Sequence, residues 1–210
     1  MAITTFSAGA VLTAAQMNDL QKQAVMTFTT EAARDAALTS PTEGMVAYLT
    51  APTVPAATGG TTAVPSGIIT AYNGTSWVCL TNVSAQTDTG GTVDVNPYVA
   101  LTGGGTAPTV TLTTGTRALV TIHACVTPSV GSTQMFYIGV NVTGATTLAV
   151  SDYTAAGRPS SLAFTQYVDA TFLFTNLTAG SNTFGLQYGR TQVGGAVTFS
   201  SRSISAVALL

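Results

Sequence analysis

The chain has 210 residues, enough for one large or two small domains. Charged residues are only 7% of it, against about 25% in an average globular protein, and hydrophobic residues are 46%. A lone soluble chain relies on surface charge, so much of this surface is expected to be covered in an assembly. The net charge is −2, with one lysine, Lys22, and scattered arginines at 34, 117, 158, 190 and 202. That excludes the clustered cations that neutralise nucleic-acid phosphates.

No window approaches the ~18 apolar residues of a membrane span. The start, Met1-Ala2-Ile3-Thr4-Thr5-Phe6, lacks a basic segment and a long apolar one, so no signal peptide is expected. Cys79 and Cys125 fall in different predicted modules and read as two buried free thiols.

In chain order, residues 1–12 read as extended. Thr13-Ala14-Ala15-Gln16 fits a capping box, and Leu12 and Met17 sit where a hydrophobic staple would form. Met17, Leu20 and Ala24 share a narrow stripe of a helix over about 14–25. Such a helix is too short to be stable alone in water and needs a partner. A second helix is expected over about 31–38, with Thr30 as N-cap, Glu31 at the positive end of the dipole and Ser40-Pro41 as the stop.

A turn at 41–44 leads to a strand at 45–49, and the Pro/Thr/Ala/Gly-rich stretch 51–66 reads as a loop. Strands at 67–72 and 76–80 flank Asn73-Gly74, the signal for a type I′ hairpin. Residues 81–97 are polar and read as a linker. Charge also changes sign there: residues 1–97 hold two basic and six acidic groups, residues 98–210 four basic and two acidic.

Strands are then expected at 98–101, 108–113, 118–126 and 135–142, with Phe199, Val207 and Leu209 in one phase of a closing strand. The longest pattern runs over 161–190. Leu162, Phe164, Gln166, Val168, Ala170, Phe172 and Phe174 alternate with mostly polar or small residues. After 177–182, Phe184, Leu186 and Tyr188 resume it. This predicts a hairpin with Phe164, Val168, Phe172, Phe174, Phe184, Leu186 and Tyr188 facing one core.

The expected fold is mainly β: short N-terminal helices and a small β-hairpin module, followed by an antiparallel, jelly-roll-like β-sandwich. The expected divisions are 1–27, 28–80, a linker at 81–97, and the sandwich at 98–210.

Chemistry is sparse. The one histidine, His123, shares a strand face with Thr121 and Cys125, but nothing else in the sequence completes a triad or a zinc site. Asp88, Asp94, Asp152 and Asp169 form no calcium loop, and Gly103-Gly104-Gly105 lacks the Lys-Ser/Thr of a phosphate loop. No catalytic residue, cofactor or metal is expected. The Asn-x-Ser/Thr triplets at Asn73, Asn82, Asn141 and Asn176 read as chance in a Thr-rich chain.

Phe28-Thr29-Thr30-Glu31-Ala32-Ala33-Arg34-Asp35-Ala36, Gly44-Met45-Val46-Ala47-Tyr48 and Tyr72-Asn73-Gly74-Thr75-Ser76-Trp77 follow one another in order. Together they resemble a segment common in tailed-bacteriophage virion proteins. The lead-in at 6–18 looks like the N-terminus of the same group. Gly115-Thr116-Arg117-Ala118-Leu119-Val120, the stretch 177–184 and the closing Phe199-Ser200-Ser201-Arg202 resemble its C-terminal sandwich.

The resemblance implies a homotrimer located in the virion, made in the host cytoplasm, with other virion proteins of tail or capsid as partners. A host-surface glycan or protein is a further partner under this reading. It implies a tail-fibre or host-adsorption role; the alternatives are a capsid decoration, cement or head-fibre protein and, less favoured, a glycan-degrading enzyme. Val11, Leu12, Met17 and Leu20 are the candidates for virion attachment. Tyr153 and Arg158, on an expected loop at 151–160, are the receptor-facing candidates, with a second such loop at 192–196.

Overall fold

The computed structural model describes residues 9, 11–17, 24–93, 98–128, 134–160, 164–191 and 197–210. The expected helix at 14–25 is described only to 17, so Leu20 and the loop at 192–196 lie outside the described residues. At 14–17 a helical turn forms. Its capping box closes as the sequence implies: the Gln16 N–H donates to Thr13 Oγ1 at 3.2 Å, and the Thr13 N–H donates back to Gln16 Oε1 at 2.9 Å.

The small module is a four-stranded sheet in the order β1 (Met26–Phe28), β2 (Val46–Leu49), β5 (Ile68–Tyr72), β6 (Trp77–Cys79). The helix α1 (Glu31–Ala37) follows β1 and is N-capped by Thr30, whose side chain accepts from the Ala33 N–H. Residues of the 28–36, 44–48 and 72–77 stretches meet here. Arg34, buried, stacks on Trp77 at 4.6 Å, and Tyr72 contacts the same ring at 5.5 Å. The Arg34 guanidinium is paired with Asp35 at 2.9 Å and donates to the Thr70 hydroxyl at 3.3 Å.

Burial pushes the Glu31 carboxyl up, but hydrogen bonds from the Thr53 and Val54 N–H groups outweigh it and leave it below the usual range. The Asn73-Gly74 hairpin forms, but not as a type I′ turn. Tyr72 pairs with Trp77, so the loop holds four residues. Gly74 alone in that loop has positive φ (+89°), and the Asn73 side chain accepts from the Thr75 and Ser76 N–H groups.

The remaining strands form two sheets. One has the order β13 (Gln166–Phe174), β10 (Arg117–Pro128), β15 (Val197–Leu209), β7 (Val83–Thr87), β4 (Thr61–Ala63), with β8 (Gly91–Val93) also on β15. The other has the order β12 (Ala155–Ser160), β11 (Gln134–Gly144), β14 (Gly180–Arg190), β9 (Thr109–Thr114), β3 (Ala56–Thr58). Every pairing within these two sheets is antiparallel. Successive strands from β9 to β15 mostly alternate between the two sheets, as in a jelly-roll sandwich.

Several expectations are corrected. The 161–190 stretch is not a hairpin. β13 pairs with β10, whereas β14 pairs with β11 and β9 in the opposite sheet. The turn at 175–179 therefore crosses the core, and Phe174 and Phe184 meet across it at 5.5 Å. Val168, Phe174, Phe184, Leu186 and Tyr188 are buried, Phe172 is half-buried against the core, and Phe164 is 53% exposed.

The expected loop at 51–66 holds the edge strands β3 and β4, and the expected linker at 81–97 holds β7 and β8. The two sheets thus recruit residues well before 98. The strand expected at 98–101 is a single bridge, Val99 to Tyr188. Cys79 is a buried free thiol, with burial pushing its pKa up, but Cys125 is only half-buried.

The closing strand changes phase. The register against β10 shifts between His123 and Cys125, and Ser201 has φ +44°. This bulge turns Phe199 inward and puts Arg202, Ile204, Ala206 and Ala208 on the core face after it. Val207 and Leu209, expected to share the phase of Phe199, consequently lie on the outer face.

Arg202 is buried at 1% exposure. It donates to the Tyr188 hydroxyl at 3.2 Å, to the Thr89 carbonyl at 2.9 Å and to the Gly104 carbonyl. Burial pushes the Tyr188 phenol up to about 12, although Arg202 works the other way. The unfolded value is near 10, so the folded state holds this proton more tightly. The resulting stability is complete below about pH 10 and is lost as pH rises to about 12, by about 2–3 kcal/mol. Alkaline unfolding should show this decline, and Tyr188→Phe should remove that part of it.

Candidate functional site

The outer face of β12, β11 and β14 carries an open cleft of about 180 Å³ lined by Tyr98, Tyr137, Asp152, Gly189 and Thr191. Register explains it. Tyr137 pairs with Gly157 on one side and Gly189 on the other, so its ring has no side chain beside it in either neighbouring strand. The Gly157 site needs that absence, since a Cβ there would stand 2.6 Å from the Tyr137 ring.

The far edge of β14 beyond Gly185 is left open by β9, which pairs only with Gly180–Gly185. Val99 fills it through two hydrogen bonds with Tyr188, at 2.8 and 2.9 Å. This sets Tyr98 over Gly189, where its ring meets Tyr137 edge-on at 6.1 Å.

Asp152 comes from the turn before β12. The Ser151 N–H donates to Thr154 Oγ1 at 3.0 Å, and the Thr154 N–H donates to the Ser151 carbonyl at 2.9 Å. The Thr154 carbonyl in turn accepts from the Val140 N–H of β11 at 2.8 Å. Burial pushes the Tyr98 phenol up, and the Asp152 carboxylate and Tyr137 act in the same direction. Thr191 Oγ1 accepts from the Met135 N–H at 3.0 Å, which leaves its own proton free to donate. The cleft therefore offers two aromatic rings, a carboxylate acceptor and hydroxyl donors.

The expected site residues that are described lie outside the lining of this cleft. Tyr153 is 91% exposed in the turn beside Asp152. Arg158 is exposed but stands in β12, an edge strand rather than a loop. It pairs with Phe136 and so belongs to the opposite face of the sheet from Tyr137. Val11, Leu12 and Met17 are exposed at 91%, 39% and 48%.

Tyr98 and Tyr137 were not singled out by the sequence reading. The available signal was a pair of glycines, 157 and 189, in the outward phase of strands flanking a tyrosine.

His123 lies on the outer face of the six-stranded sheet, together with Thr121 and Cys125. Its Nδ1 is 2.6 Å from Asp169 Oδ1 in the paired strand, and its ring stacks on Tyr167 at 5.8 Å. The same face carries the rows Tyr167–Cys125–Ser200, Thr171–Thr121–Ser205 and Leu173–Leu119–Val207. Leu119, Leu173 and Tyr167 are 37%, 51% and 61% exposed. Among the described residues, no group of three or more His, Cys, Asp or Glu side chains could hold a metal. No helix among them is long and apolar enough to cross a membrane.

No protein-family model matches the chain, and no curated protein does. Solved structures that resemble it include Eiger TNF from S. frugiperda, at 14% identity and TM-score 0.40 over 60% of this chain and 92% of that one. Infectious bursal disease virus, Gx strain, matches at 9% identity and TM-score 0.41 over 67% of this chain and 41% of that one. The CBM22-1–GH10 modules of a Clostridium thermocellum xylanase, complexed with xylohexaose, match at 11% identity and TM-score 0.33 over 57% and 26%. Likeness at this level carries no activity or partner across to this chain.

Proposed function

We propose that this chain is a non-enzymatic structural protein of a tailed-phage virion. In this reading it is made in the host cytoplasm and assembles as a homotrimeric surface appendage. Residues 1–27 attach it to other virion proteins, and the sandwich is exposed for host adsorption.

The observation that supports it is where apolar side chains stay uncovered. One group, Val11, Leu12 and Met17, lies in and before the capped N-terminal turn. The other is the outer face of the six-stranded sheet, where the row Leu173–Leu119–Val207 lies among threonines and serines. Contiguous exposed apolar groups mark contact surfaces, and two different patches on each copy, meeting head-to-tail, close a three-fold ring. The 7% charge content fits the same picture.

Among the described residues that line the cleft, Asp152 is the one carboxylate. Glycoside hydrolysis uses a pair, and in this reading the cleft binds rather than cleaves.

Truncation tests the division of labour. The chain lacking residues 1–25, which leaves β1 intact, should fold, as judged by an unchanged melting transition of the sandwich, yet fail to join particles. Normal occupancy of that truncated chain on particles would refute it.

A further inference from the structure

We propose that the Tyr98–Tyr137–Asp152 cleft is a binding site for one neutral pyranose unit of a surface glycan. The proposal deepens the adsorption reading above and rests on it for its biological setting, but not for its geometry.

Three features point to a sugar. First, the two tyrosine rings meet edge-on over Gly189, so the cleft has an aromatic wall against which the C–H face of a sugar ring can pack. Second, polar groups of complementary kind surround that wall. Asp152 can only accept when ionised, and sugar hydroxyls donate to it in charge-assisted hydrogen bonds. The Thr191 hydroxyl, already accepting from Met135, has its proton to give, and the tyrosine hydroxyls can donate or accept.

Third, the size is right for one ring. About 180 Å³ is below the roughly 300–1,000 Å³ of pockets for drug-sized ligands. The cleft is open rather than enclosed, so the rest of a glycan can continue into solvent.

The charge argues against other ligands of similar size. Among the described residues no cation lines the cleft, and Asp152 repels phosphate and carboxylate groups. A nucleotide or a sialylated terminus is therefore disfavoured against a neutral sugar. The site is preformed by backbone pairing: the Gly157–Tyr137–Gly189 row and the Val99–Tyr188 bridge fix both rings without a ligand. Preorganisation of this kind lowers the ordering cost of binding.

The test uses the full-length chain titrated with maltotetraose, cellotetraose, chitotetraose and galactotriose, read by saturation-transfer NMR and by calorimetry. At least one should bind, and Tyr137→Ala and Asp152→Asn should each weaken it by about ten-fold. Gly189→Leu, which fills the cleft, should abolish binding. Val64→Ala, exposed and outside the lining, should leave it unchanged.

All variants are first checked for an unchanged melting temperature. Should Gly189→Leu unfold, the two polar-site variants still decide the matter. No binding to any of the four sugars overturns the proposal, as does binding that survives both Tyr137→Ala and Asp152→Asn. Mass measurement on the same samples separates this outcome from the wider reading. A trimer without sugar binding refutes only the site, whereas a monomer that binds sugar refutes only the assembly.

Discussion

Phe199→Ala is expected to destabilise the sandwich by about 3–5 kcal/mol. Phe199 is fully buried where the two sheets meet. Its ring touches Tyr188 at 4.9 Å and Phe136 at 6.3 Å, both from the opposite sheet. Truncation removes the buried ring and both aromatic contacts, and it leaves a cavity between sheets that cannot collapse without moving β15. In a domain of this size the melting temperature should fall by on the order of 10 °C.

Phe164→Ala is the control. That ring is 53% exposed, so its loss should stay within about 0.5 kcal/mol of neutral. Comparable losses for the two variants would contradict the inward position of Phe199 in β15 and the exposed position of Phe164 before β13.

Arg202→Ala should cost about as much, roughly 3–5 kcal/mol, for a different reason. The Arg202 side chain ties three segments together through Tyr188, Thr89 and Gly104. Alanine would leave the buried Gly104 carbonyl and Tyr188 hydroxyl without this donor, and an unsatisfied buried acceptor costs about 1–3 kcal/mol. The vacated volume adds a cavity term.

Arg202→Met restores most of the volume but none of the donors, so it should recover only part of the loss. Denaturant unfolding of the two variants measures both. A cost below about 1 kcal/mol for Arg202→Ala would show that Arg202 does not hold these segments.

Both residues show how far the sequence could be read. Period-two alternation named the inward face of β14 and most of β13, because a half-buried strand must alternate. It could not name pairing partners. Phe174 and Phe184 have the same pattern whether their strands are neighbours in one sheet or opposed across a core.

Phase also carries over only while the strand is regular. The single extra residue at Ser201 separates Phe199, inward, from Val207 and Leu209, outward, and nothing in the alternation announces it. The edge strands β3 and β4 were hidden for another reason. Ala56–Thr58 and Thr61–Ala63 have small side chains, and they are held by backbone pairing rather than by a hydrophobic face.

Local signals fared better. The capping box at Thr13–Gln16, the Thr30 cap and the Asn73-Gly74 hairpin each depend on residues within four positions. The cleft does not. Tyr98, Tyr137, Asp152 and Gly189 come together only through strand register and the Val99 bridge. Glycines at 157 and 189 are visible in the sequence, but their meaning depends on knowing that they flank Tyr137.

The proposed adsorption appendage has an inner N-terminal end and an outer sandwich. A density map of phage particles carrying this chain tests it most directly. Three symmetry-related copies are expected, with residues 1–27 against the particle and the Tyr98–Tyr137 cleft facing outward. Density showing single copies, or the sandwich seated against the particle with the N-terminal end outward, would contradict it.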